Sequence, residues 1–115
     1  MIEDLDKWID NIDMTALVGA LADDVVVEHV TAGRRIEGKK AALAWLGDLA
    51  HRSQEDRIEI VRRSVDGSRI WAERVDRHLI DGQWLEIPVM GVIELNDDRQ
   101  IILIRDYFDP GLAIQ

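Results

Sequence analysis

Arg74, Asp76 and Asp106 are the residues whose types and positions lend themselves to chemistry. All three sit in segments that read as strands, and the strand that pairs with the first two presents an apolar face to them. Two carboxylates and a guanidinium in apolar surroundings cost several kcal/mol to desolvate unless they are paired. Paired across one arginine, they suit acid–base work. A carboxylate held against Arg stays ionised and can take a proton. A second carboxyl crowded by the first negative charge is driven towards its protonated form and can give one. Two such groups titrate as a unit and can move two protons in one step. The competing use of the trio is a salt bridge that only fixes sheet register.

The elements that must position the trio follow from the periodicity. Ile2, Leu5, Trp8 and Ile12 recur at helical spacing, and Asn11 marks a break. Asp13 is placed to cap a second short helix carrying Leu17, Val18 and Leu21, with Asp23 and Asp24 ending it. Val25–Val30 is β-branched and reads as a strand, followed by a loop through Gly33, Arg34 and Arg35. Gly38 opens a third helix with Ala42, Leu43, Leu46, Leu49 and Ala50 as its apolar stripe. From Arg57 on, strand patterns cover 57–65, 68–80, 83–95 and 100–108. Asp66-Gly67 and Asp81-Gly82 between them favour tight type I′ hairpins, and Asn96–Arg99 makes a four-residue turn. Helices first and a meander afterwards predict one α+β domain over residues 1–115, a curved antiparallel sheet with about three helices on its concave face.

The turns also predict registers. A two-residue turn at Asp81-Gly82 sets Asp76 opposite Ile87 and Arg74 opposite Val89. Leu85, Ile87, Val89, Gly91, Ile93 and Leu95 then form a continuous apolar face with Gly91 its one small member. A four-residue turn at 96–99 sets Val89 opposite Asp106, so Arg74, Val89 and Asp106 share a row. Arg74 and Asp106 would then be about 10 Å apart at Cα, within an arginine's reach. The other face carries Trp71, Val75, Leu79, Trp84, Met90, Val92, Ile101, Leu103 and Tyr107. No further element is left to cover it, which predicts a homodimer through that face.

Composition narrows the function classes. With 47% apolar and 32% charged residues the chain is globular, and a formal charge of −9 argues against nucleic acid and anionic membranes as partners. No cysteine is present, which removes disulfides, thiol nucleophiles and Cys-based metal sites. Residues 1–10 lack the basic-then-apolar order of a signal peptide, and no apolar run reaches bilayer length. The expectation is a soluble cytoplasmic protein.

The segments Glu73-Arg74-Val75-Asp76, Gly91-Val92-Ile93-Glu94-Leu95 and Arg105-Asp106-Tyr107-Phe108-Asp109 resemble the limonene-1,2-epoxide hydrolases, within the wider NTF2-like and SnoaL-like group. The likeness runs from about Leu17 to Asp109. It implies an NTF2-like cone and hydrolysis of a lipophilic epoxide to a vicinal diol, with no metal, cofactor or covalent intermediate. Asp106 would be the base that activates water, Asp76 the acid that protonates the leaving oxygen, and Arg74 the bridge between them. Val27, Ile87, Val89 and Phe108 would line the substrate pocket. Where the family holds its water with Tyr and Asn on the first strand, this sequence has Val27 and His29, so His29 becomes the water-positioning candidate. The family also has a C-terminal segment that helps close the pocket; with the sequence ending at Gln115, a more open site or a different substrate size is the expectation. Two other uses of such a fold are an isomerase or cyclase that removes a proton α to a carbonyl, and a non-catalytic small-molecule-binding dimer. The first needs an oxyanion donor, yet the one tyrosine, Tyr107, is predicted on the outer face.

Overall fold

The computed structural model describes Ile2 and residues 4–112. The elements are α1 (Leu5–Asp10), α2 (Met14–Gly19), β1 (Leu21–His29), β2 (Arg34–Glu37), α3 (Lys39–Arg52), β3 (Glu55–Asp66), β4 (Arg69–Ile80), β5 (Gln83–Leu95) and β6 (Ile101–Phe108). They form one six-stranded sheet in the order β2-β1-β6-β5-β4-β3. The sheet is mixed rather than wholly antiparallel, because β1 and β6 run parallel. The three helices and the curved, unclosed sheet give the expected α+β cone.

Local chemistry explains most boundaries. The carboxylates of Asp4 and Asp13 accept from the Lys7 and Ala16 amides, satisfying amides that the first helical turns leave unpaired. Gly38 precedes α3 at φ 90°, a conformation a side chain would strain. Asp81 and Gly82, both at positive φ, make the expected type I′ connection. The β3–β4 connection is instead Gly67-Ser68, because Asp66 pairs with Arg69 and belongs to the ladder.

Three expectations about elements change. Leu21 lies on β1, not α2, and Asp23 and Asp24 lie within that strand rather than ending a helix. The Ala20 carbonyl accepts from the Ile101 amide, and Leu21 pairs with Ile101 and is 1% exposed, so ladder and core outweigh helical spacing. Arg34–Glu37 is a strand where a loop was expected; Gly33 at φ 65° turns the chain and lets β2 pair back on β1. Its charged side chains suit a sheet edge. The α3 stripe is rotated: Ala42 and Leu46 are buried and Trp45 packs on the core, while Leu43 and Ala50 are exposed.

The core joins Leu5 and Ile9 of α1, Ala42 and Leu46 of α3, and the concave-face residues Val27, Ile70, Ile93 and Ile104. On the convex face Trp71, Trp84, Met90 and Tyr107 are exposed. Ile101, expected there, is fully buried, and Val92 is 4% exposed.

Candidate active site

The β4–β5 register is the predicted one: Asp76 faces Ile87 and Arg74 faces Val89. The β5–β6 register is two residues away from the predicted one. Leu95 pairs with Ile101, which makes the turn five residues long, and an irregularity after that pair adds a further residue. Asp106 therefore faces Gly91 and Phe108 faces Val89. Arg74 and Asp106 do not share a row; they meet on a diagonal across β5. Because the shift is an even number of residues, Asp106 keeps the concave face. The irregularity also turns Ile101 inwards, which removes it from the outer apolar face.

Arg74 spans the two carboxylates. Its Nε and Nη2 donate to Asp76 Oδ1 and Oδ2 at 2.8 and 3.1 Å, and its Nη1 and Nη2 donate to Asp106 Oδ1 and Oδ2 at 2.9 and 2.7 Å. Both contacts are forked, the geometry that suits a planar guanidinium. Only 14% of the Arg74 side chain and 7% of the Asp106 side chain are exposed, against 22% for Asp76. Burial works against the Arg74 charge, but Asp106 and then Asp76 outweigh it and hold the guanidinium pKa above its usual value. The arginine is thus a fixed cation that holds the two carboxyl groups on either side of it.

Gly91 makes the arrangement possible. A Cβ there would fall well inside contact distance of Asp106 Oδ1 and only 2.7 Å from Arg74 Nη1. The small residue noted on the β5 face is the gap through which arginine reaches aspartate. A lone glycine within a strand of Ile, Val and Leu is the signal that marks such a close approach.

His29 is the parallel partner of Asp106 in the β1–β6 ladder, with its Nε2 3.8 Å from Asp106 Oδ2. The imidazole stands edge-on to Trp45 and Phe108, with ring centroids 4.7 and 4.9 Å away. Burial lowers its pKa below the ordinary histidine value, and Arg74 and Arg34 add to that; Asp106 opposes the shift without cancelling it. His29 is therefore neutral at pH 7. Trp45, which sequence periodicity left off the apolar stripe, fixes the ring's position.

These residues border a cavity of about 640 Å³, a size typical of small-molecule sites. Val27, Ile87, Val89 and Phe108 all line it, as do Trp45, Ile70 and Ile104. A second depression, of about 440 Å³, lies between Trp8 and the Asp98-Arg99 turn and is remote from the trio. No helix among the described residues is long and apolar enough to cross a membrane.

The chain is similar to several known proteins. Residues 1–112 match the family described as the limonene-1,2-epoxide hydrolase catalytic domain. The chain is 35% identical over 101 residues to epoxide hydrolase EphG of Mycobacterium tuberculosis, covering 88% of this chain and 66% of that protein. A solved LEH-like epoxide hydrolase from M. tuberculosis superposes with a TM-score of 0.72 at 33% identity, over 90% of this chain and 75% of that one. An NTF2-like protein of unknown function from Cytophaga hutchinsonii has the same TM-score at 11% identity, covering 91% and 93%; this likeness concerns fold alone. The chain belongs to the limonene-1,2-epoxide hydrolase family.

Proposed function

We propose that this protein hydrolyses a lipophilic epoxide to a vicinal diol in one step, with Asp106 as base, Asp76 as acid and Arg74 holding both. The observation that carries the reading is the doubly forked Asp76–Arg74–Asp106 bridge on the wall of a largely apolar cavity. Asp106 takes a proton from water as the water oxygen bonds to one epoxide carbon. The C–O bond at that carbon breaks, and the departing oxygen takes the proton from Asp76. The two carboxyls have then exchanged roles, and one proton passing back through solvent restores the starting state. The fixed arginine charge keeps both carboxyls aligned throughout, so no metal and no acyl or alkyl enzyme is required. Neutral His29 supports a water shared with Asp106, since a 3.8 Å separation is too long for a direct hydrogen bond and suits a common partner. Val27, Ile87, Val89 and Phe108 supply the apolar contact for the substrate.

Limonene, cyclohexene and styrene oxides are suitable first substrates, with diol quantified by gas chromatography. Asp106→Asn keeps the shape and removes the base, so kcat should fall on the order of 10³-fold or more. Single turnover in ¹⁸O-water should place the label in the diol and none in the protein. Absence of diol from every epoxide, or label in an aspartate, refutes the reading. The isomerase alternative is not favoured, since Tyr107 is 44% exposed on the convex face. The proposal includes a cytoplasmic homodimer that covers Trp71, Trp84, Met90 and Tyr107, each at least 40% exposed in the single chain.

A further inference from the structure

A second polar cluster borders the cavity and plays no part in the chemistry above. Asp56 and His78 are paired across β3 and β4 and both line the cavity wall. His78 Nδ1 lies 2.6 Å from Asp56 Oδ1, and the Ser53 hydroxyl donates to the same oxygen at 2.6 Å. The side chains of His78 and Asp56 are only 19% and 20% exposed. The order Ser–Asp–His is wrong for a nucleophile: the serine is bonded to the carboxylate, not to the imidazole that would have to deprotonate it. The cluster orients instead. A carboxylate oxygen accepts, so Nδ1 carries a hydrogen and the ring is held in one tautomeric sense. Nε2 has no partner among the described residues, and no buried side-chain nitrogen or oxygen there lacks one. Nε2 is therefore not wholly buried, and His78 lines the cavity from the same strand face as Arg74 and Asp76.

We infer that His78, oriented by Asp56 and Ser53, is a polar subsite that selects an epoxide bearing a hydroxyl group remote from the ring. A hydroxyl suits Nε2 in either protonation state, because it donates to neutral imidazole and accepts from imidazolium. His78 is two residues from Asp76 on one strand, which puts the hydroxyl roughly 7 Å from the reacting oxygen. Ile87 and Ile58 border the cavity near this interval and favour an apolar spacer. The substrate class is thus amphiphilic: apolar through the middle, with a neutral hydrogen-bonding end. This inference rests on the epoxide-hydrolase reading.

The test uses linear cis-epoxides of graded length, each made with a terminal hydroxyl and with a terminal methyl. The readout is the ratio of kcat/KM for the hydroxyl over the methyl member. One hydrogen bond formed in the cavity should raise that ratio about 3- to 10-fold at one preferred length. His78→Phe should return it to about one. A ratio near one at all lengths in the wild type overturns the subsite and leaves the hydrolase reading intact. So does a His78→Phe variant that slows both members in proportion, the result of a purely structural β3–β4 pair. Absence of turnover with every epoxide removes the hydrolase reading, and the subsite falls with it. Should His78→Phe fail to fold, the length profile of the wild type decides together with a ¹⁵N shift of His78 Nε2 on adding hydroxylated but not deoxy diol, and absence of either overturns the subsite.

Discussion

Replacing Gly91 by alanine is the sharpest perturbation the site allows. Gly91 has ordinary strand backbone, without the positive φ of Gly33, Gly38, Gly67 and Gly82, so alanine adds no backbone strain and acts through its Cβ alone. That carbon would be 2.7 Å from Arg74 Nη1 and nearer still to Asp106 Oδ1, where ordinary contact begins at 3.4 Å. These two atoms are hydrogen-bonded to each other, so both must retreat, by about 1 Å in a close-packed wall. Losing one charge-assisted bond costs about 1.5–3 kcal/mol, and removing a flexible glycine from a strand returns about 0.5–1 kcal/mol. The net destabilisation is about 1–2 kcal/mol, a fall in Tm of roughly 4–10 °C for a domain of this size. Displacing the base by about 1 Å should lower kcat/KM on the order of 10²-fold. Thermal unfolding and diol formation measure the two effects. Repeating Gly91→Ala in an Asp106→Ala background separates cause from coincidence: with the carboxylate gone, the stability cost should shrink to less than half. Wild-type activity in Gly91→Ala, or an equal cost in both backgrounds, refutes the reasoning.

Two further outcomes are expected. Because the folded-state pKa of His29 is lowered below the ordinary 6.5, the unfolded chain binds more protons in the interval between the two values. Stability should therefore rise with pH across that interval and be lost as pH falls from about 6.5 towards the folded pKa; His29→Phe, which keeps the packing against Trp45 and Phe108, should flatten that part of the Tm–pH curve. For the convex face, Met90→Asp with Tyr107→Glu should convert a sedimenting dimer to a monomer, and a wild type that is monomeric at micromolar concentration refutes the interface.

How much could be read in advance depended on whether the controlling geometry was local. Asp81-Gly82 fixes its hairpin through the φ angles of two residues, so the placement of Arg74 and Asp76 on the concave face followed directly. The Asn96–Gln100 turn is governed by a side chain: Asn96 Oδ1 accepts from the Asp98 and Gln100 amides, and Arg99 takes positive φ. Nothing in residue spacing reveals that, nor the irregularity beyond it, and the β5–β6 register moved by two. Parity protected the chemistry, since an even shift leaves Asp106 facing inwards. The strand identity of Leu21 and of Arg34–Glu37 depends on partners far along the chain or on a sheet edge, which local propensity does not carry. Gly91 was visible as an anomaly in β5, but its meaning required Arg74 and Asp106 to be seen meeting beneath it.

The central place of β6 has a consequence for how the molecule is assembled. β3, β4 and β5 are joined by two-residue turns and can zip up locally, as can the β1–β2 hairpin. β6 extends this meander through its five-residue turn, and β1 must then dock on it in parallel, joining residues 77 positions apart in the pair His29 and Asp106. Ring closure of that length is the slow event, and it is the event that brings His29 and the β1 wall of the cavity to the aspartate. A partly folded meander can therefore hold Arg74 against Asp106, but the cavity around them is complete only when β1 docks. In pulse-labelling hydrogen exchange the Val30 amide, which donates to the Asp106 carbonyl, should gain protection together with activity and after the β4–β5 amides.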